Sequence, residues 1–346
     1  MSAEHRAGTS PAVSVIVATC GRARHLRRCL EALGRQTIAQ PFEIIVVDNR
    51  PQSSGTRDLL ADFPTVRVID ERRPGLSPAR NAGVALARGE IVVFTDDDTE
   101  AEPDWLNQLL RPFGRSEIAG VTGNTKPLKM ETDAERLFEA YGGLRHGDAY
   151  AEYGPSWLRS RTWHLPLWQI GTTANAAFRA QVFRDPAIGS LDEHLGAGSP
   201  TGAWEDLYLF YRMLRRGCVM AYEPRAVVLH AHREELAELT EQLQAYRRSE
   251  IAFCLLVLWR HGEWRAIPHV TLWIPYWRLT QFGGELLRRF RGRRRFNLAI
   301  AMRENWAYLQ GPFALFASHR RVQQWRLERA SEQGLVGSSG IRGRPE

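Results

Sequence analysis

Near its start this chain alternates between short apolar-rich runs and segments with helical spacing, and that alternation limits its fold more than any other feature. The runs are Val13–Ala18, Glu43–Val47, Thr65–Ile69 and Ile91–Thr95. Between the first two, from about Arg22, Leu26, Leu30 and Leu33 share one helical face, and segments 55–62 and 78–87 repeat the arrangement. Strands separated by helices of this length predict βαβ units. Their continuous rather than alternating apolar character predicts burial on both faces. The expected fold class is therefore α/β, with a mostly parallel sheet.

In open sheets of this kind ligands bind beyond the carboxyl ends of the strands. The rule brings Thr19-Cys20-Gly21-Arg22, Asp48-Asn49 and Asp96-Asp97-Asp98 to one edge. Three adjacent carboxylates repel one another, so the last set is either a solvated acidic turn or a cation site. Helix 78–87 is expected to start with Ser77 as N-cap and Pro78 in the first turn. Arg80 then opposes the helix dipole, an arrangement suited to a phosphate ligand.

Residues 114–170 are richer in loops and aromatics. Asn175 follows in Trp168–Arg179, and a Gly/Ser/Pro loop, Leu191–Gly202, delivers Trp204-Glu205-Asp206 onto a helix with Leu207, Phe210 and Leu214 inward. A strand over Arg225–Ala231 ends at His230, with His232 on the same face and expected at the surface. A helical stretch spans 234–259, and the basic cluster Arg288–Arg295 lies beyond it.

The ordered set Val13–Arg22, Ile44–Asn49, Gly75–Gly83, Asp96–Asp98, Glu205-Asp206 and His230 resembles the GT-A glycosyltransferases, in particular the family 2 group of bacterial polysaccharide and lipid-glycosylating enzymes. The resemblance covers roughly residues 13–235. It implies a GT-A fold, a Rossmann-like, mostly parallel mixed sheet with a helical C-terminal extension here. It also implies a metal-dependent, inverting transfer of sugar from a nucleotide-diphospho-sugar, UDP-sugar favoured, to a saccharide or lipid-linked acceptor in cell-envelope synthesis.

Carried onto this sequence, Asp98 and His230 hold Mn2+ or Mg2+, while Thr19, Asp48, Arg80, Asp96 and Asp97 form the donor side, Asp97 with the least specified role. Asp206 is the general base, Glu205 orients the acceptor, and Asn175 and Trp204 line the sugar pocket. Where the family commonly has Pro-Thr-Tyr-Asn-Arg, this chain has Ala18-Thr19-Cys20-Gly21-Arg22. Two other readings remain open at this point: a nucleotidyltransferase on a similar fold, and an inactive membrane-associated scaffold.

The division expected is a disordered lead-in (1–12), a catalytic domain (13–235, with a donor half 13–123 and an acceptor half 124–235), a helical region (236–330) and a disordered tail (331–346). Basicity is a property of the end of the chain: residues 261–346 carry 15 Arg against 6 acidic residues, the first 260 carry 31 basic against 33 acidic. No RNP, helix-turn-helix or zinc signature accompanies those arginines, so no nucleic-acid partner is expected. The interleaved Arg and Trp suit either an interface-lying segment on anionic lipid or a helical subdomain packed on the core. Scattered cysteines and no spanning apolar run predict a cytoplasmic protein, peripheral on the inner membrane's cytoplasmic face.

Overall fold

The computed structural model describes residues 11–52, 55–281 and 298–338. The chain runs β1 (Val13–Thr19), α1 (Ala23–Gly34), β2 (Phe42–Asp48), α2 (Thr56–Leu60), β3 (Arg67–Asp70), α3 (Leu76–Leu86), β4 (Ile91–Asp96), β5 (Thr99–Ala101) and α4 (Trp105–Leu110). It continues through β6 (Ile118–Pro127), α5 (Asp133–Ala140), β7 (Ala151–Tyr153), α6 (Pro155–Arg159), β8 (Asn175–Arg179), α7 (Gln181–Arg184), α8 (Glu205–Arg216) and β9 (Val219–His230). The chain ends in α9 (Leu236–His261), a turn α10 (Ala266–Pro268) and α11 (Leu298–Ser338).

The strands form one sheet in the order β3-β2-β1-β4-β8-β6-β9-β5, with β7 on β9. β3, β2, β1 and β4 are parallel; β8 runs antiparallel to β4 and β6, and β9 runs parallel to β6. All seven residues of β1 are buried. Ile16 and Ala18 enter one core with α3 and α8, whereas Val13, Val15 and Val17 enter another with α1 and α4. Two covered faces account for the unbroken apolar runs.

Register sets the functional edge. Thr19 lies opposite Asp48, and Ala18 opposite Asp96. On the far side Thr99 pairs with His230, and Ala231 N–H donates to Asp98 O at 2.9 Å. Hydrogen bonding of β5 to β9 thus carries a histidine 132 residues away to the acidic turn.

The structure corrects two expectations. Gly75, at φ 134°, caps α3; Ser77 lies inside the helix and donates to Leu195 O at 2.9 Å. That φ lies in the region open to glycine and denied to most side chains, so the helix starts earlier than a serine cap implies. The middle of the chain contains the ten-residue β6, hidden in sequence by Gly120, Gly123, Asn124 and Pro127. At the end, α11 continues through Ser338. The basic cluster Arg288–Arg295, the lead-in to residue 10 and residues 339–346 lie outside the described residues.

Candidate active site

The acidic turn divides its three carboxylates between separate partners. Asp97 is fully buried, accepting from Thr19 Oγ1 at 2.7 Å and from the Arg22 guanidinium. The Thr19 hydroxyl is thus bonded into the turn. Arg22 Nη1 also reaches Asp98 Oδ2 at 2.5 Å. Asp96 leans the other way, where its Oδ1 accepts from Arg80 Nη2 at 2.6 Å. Burial pushes Asp97 up to about 7. Asp98, equally desolvated, is nevertheless held below the usual carboxylate range by His230 and Arg22.

Asp98 Oδ1 is buried without a hydrogen-bond partner and lies 3.4 Å from His230 Nε2. The ring partners of His230 fix the direction in which it faces. Glu139 Oε1 accepts from His232 Nε2 at 2.8 Å, and burial with His230 alongside keeps the His232 ring below its ordinary pKa and neutral. His232 Nδ1 is then an acceptor, and it takes the Nδ1 hydrogen of His230 across 3.2 Å. His230 Nε2 is thereby turned towards the unpartnered oxygen of Asp98. Ligand atoms of Asp96, Asp98 and His230 all fall within 4.8 Å of one another. Carboxylate oxygen with one imidazole is a donor set that fits a hard or borderline divalent ion. His232, expected at the surface, is instead buried and orients His230, and Glu139 is a partner that no local pattern pointed to.

Arg80 joins the turn to the second acidic pair. It is buried, and Nη1 bonds Thr173 Oγ1 at 2.6 Å and Glu205 Oε1 at 3.0 Å. The guanidinium therefore spans Asp96 and Glu205 inside the protein. Glu205 and Asp206 open α8 directly after Trp204, which among the described residues is the only non-glycine at positive φ, 70°. Such a backbone costs roughly 1–2 kcal/mol, offset by burial of the indole against Phe253, with ring centroids 5.3 Å apart.

Burial and the neighbouring Asp206 push Glu205 up to about 7, and burial raises Asp206 as well. Asp206 accepts from Thr173 N at 3.3 Å and Leu207 N at 2.8 Å, yet remains partly exposed. Of the two acids, Asp206 has the more accessible carboxylate; Glu205 is committed to Arg80.

The two residues expected in the sugar pocket have partners inside the protein. Asn175 is fully buried, with Oδ1 accepting from Trp105 Nε1 and Nδ2 donating to Asn124 O and Ala226 O. Its side chain thus ties β8 to β6, β9 and α4. Trp204 belongs to the core for the reason just given. Asp48 sits buried at the end of β2, its Oδ1 accepting from Arg50 N at 2.9 Å in an Asx-turn. Asn49 beside it accepts from Gly75 N and donates to Glu71 O and Arg73 O, holding the loop that leads into α3.

Residues 14–185 match the family model described as Glycosyl transferase family 2. The chain belongs to that family. The pre-mycofactocin glycosyltransferase of Mycobacterium tuberculosis is 27% identical over 231 residues, which cover 65% of this chain and 44% of the relative. Glycosyltransferase AglE of Haloferax volcanii is 31% identical over 124 residues, 34% of this chain and 40% of its own. These matches span less than half the length of the curated relatives. Among solved structures, S. aureus TarS 1-349 superposes with a TM-score of 0.49 at 17% identity, covering 71% of this chain and 65% of that one; TarS 1-349 has also been solved in complex with UDP-GlcNAc. The α/β fold, its central sheet with a parallel half and its helical C-terminal part agree with the GT-A expectation.

Proposed function

We propose that this chain moves a sugar from a nucleotide-diphospho-sugar, with a UDP-sugar favoured, to a hydroxyl of a saccharide or lipid-linked acceptor, with inversion, in envelope polysaccharide or glycolipid synthesis. The observation that carries the reading is the convergence of ligand atoms from Asp96, Asp98 and His230 within 4.8 Å of one another, joined through Arg80 to the acids of α8. Residues 13–123 take the donor and 124–235 the acceptor. Asp206, partly exposed and with its pKa raised, takes the proton of the attacking hydroxyl. Arg80 holds Asp96 and Glu205 in fixed relation, so the donor and acceptor sides keep their spacing. Asp48 at the end of β2 faces the base. Asp96, Asp98 and His230 would hold Mn2+ or Mg2+, which would supply charge neutralisation to a diphosphate leaving group.

Attachment to the cytoplasmic face of the inner membrane is part of the same reading. Among the described residues no helix is long and apolar enough to cross a bilayer.

A panel of nucleotide-sugars with each metal, followed by thermal shift and nucleotide release, tests the reading. A UDP-sugar should stabilise the parent, Asp98→Ala should lose that stabilisation, and Asp206→Asn should keep it while losing transfer. If Asp98→Ala binds every nucleotide as the parent does, the metal assignment is wrong. Retained transfer in Asp206→Asn would move the base elsewhere.

A further inference from the structure

We infer that α11 is a membrane-surface helix whose outer face docks on anionic lipid. The inference deepens the proposed function and rests on it only for the acceptor, which it identifies as lipid-linked.

The first observation is an inversion of side-chain size. Most of the buried residues of α11 are small, namely Ala301, Ala307, Gly311, Ala314 and Ser318, with Ile300, Glu304 and Val322 the larger ones. At Gly311, α11 and α9 approach so closely that a Cβ would lie 2.5 Å from Ile251 Cβ. The opposite face is large and apolar. Met302, Trp306, Leu309, Phe313 and Phe316 are 64%, 63%, 64%, 76% and 63% exposed. Their steps of four and three residues set them in one stripe about 21 Å long at 1.5 Å per residue. A helix that meets only water places its large apolar residues inward; this one turns these five outward. A continuous exposed apolar surface of this kind marks an interaction site.

Charge decides the occupant. From Trp264 to Leu327 the sequence holds two acidic residues, Glu285 and Glu304. Glu285 lies outside the described residues. Glu304 is fully buried and neutralised by Arg247 at 3.0 Å and Arg278 at 3.1 Å. Arg303 and Arg320, beside and beyond the stripe, are exposed, as is the acidic Glu328 further along. The outer face is therefore apolar and cationic, as a helix lying on anionic lipid requires. A second copy is the poorer match, because a two-fold pairing of the stripe would bring its arginines towards their own kind.

The same helix reaches the mouth of the site. Past the stripe, Arg321 donates to Gly198 O at 2.8 Å and to Pro74 O, and Arg73 lies over the Trp325 ring at 5.8 Å. These contacts join α11 to the two loops that lead into α3 and α8. A helix seated on the bilayer thereby presents those loops near the surface, where the hydroxyl of a lipid-linked saccharide would be found.

Flotation of the full chain with phosphatidylcholine vesicles, with and without phosphatidylglycerol, tests the inference. The parent should float with the mixed vesicles and much less with the neutral ones. Trp306→Ser with Phe313→Ser should lower the partition by on the order of a hundredfold, from two large apolar side chains no longer buried. Both positions are solvent-facing, so circular dichroism and the melting temperature should match the parent and exclude unfolding. A parent that stays in solution with both vesicle types overturns the inference, as does a double variant that floats like the parent. A dimer by light scattering that the double variant dissociates also overturns it and assigns the face to a second copy. No sugar nucleotide enters this assay, so its outcome is separate from the donor panel.

Discussion

Replacing Arg80 with Met probes the link between the two halves of the site. The side chain is 2% exposed and holds Asp96, Glu205 and Thr173, with its guanidinium also 5.4 Å from the Phe94 ring centroid. Methionine fills much of the volume but leaves the Glu205 carboxylate buried without its countercharge. Removing one partner of a buried ion pair costs about 3–5 kcal/mol, much of it the stranded charge.

The penalty should depend on pH, and its sign follows from Glu205. Its folded pKa of about 7 lies above the ordinary 4.5, so the folded state binds the proton more tightly than the unfolded chain and this group lowers stability as pH climbs between those values. Without Arg80 the folded pKa rises further, so the loss continues to higher pH. Urea unfolding should therefore show a penalty roughly 2 kcal/mol larger near pH 8 than near pH 5. Adding Glu205→Gln should recover most of that difference, because the stranded charge is gone. A penalty below about 1 kcal/mol, the same at both pH values and indifferent to Glu205→Gln, would refute the view of Arg80 as the buried bridge.

Two further outcomes follow from particular contacts. Glu139→Ala should weaken Mn2+ binding about 10–100-fold in an EPR titration, while Glu139→Gln, which keeps an acceptor for His232, should stay near the parent; unchanged affinity in the alanine variant would remove Glu139 from the orientation of His230. Gly311→Ala should destabilise by about 1–3 kcal/mol, because its Cβ meets Ile251 and the Arg248 carbonyl, the latter at 2.9 Å. Gly34→Ala, with nothing within 4 Å, should be neutral or stabilising by up to about 1 kcal/mol, and equal melting temperatures for the two glycine variants would contradict the close crossing of α9 and α11.

Local pattern by itself determined the alternating half of the fold. Buried parallel strands need unbroken apolar runs and their helices need one apolar stripe, so Val13–Thr19 and the Leu26, Leu30 and Leu33 face were legible without coordinates. The strand-end rule likewise placed Thr19, Asp48 and Asp96 on one edge, because parallel register follows from the βαβ repeat. β6 escaped notice, since its glycines and polar residues are tolerated only where β8 and β9 cover them.

Tertiary structure alone decided what each side chain does. Asp97 and Thr19 satisfy one another, Asn175 joins strands and Trp204 fills the core, although each has the residue type of a ligand contact. His232 and Glu139 stand 93 residues apart, and no spacing rule connects a strand end to a helix at that range. The outward stripe of α11 differs again: its large residues were visible in sequence, but only the small-residue contact with α9 showed which face is turned out. Residue type and period limit what a side chain can do; the partners that complete it are set by packing across the whole chain.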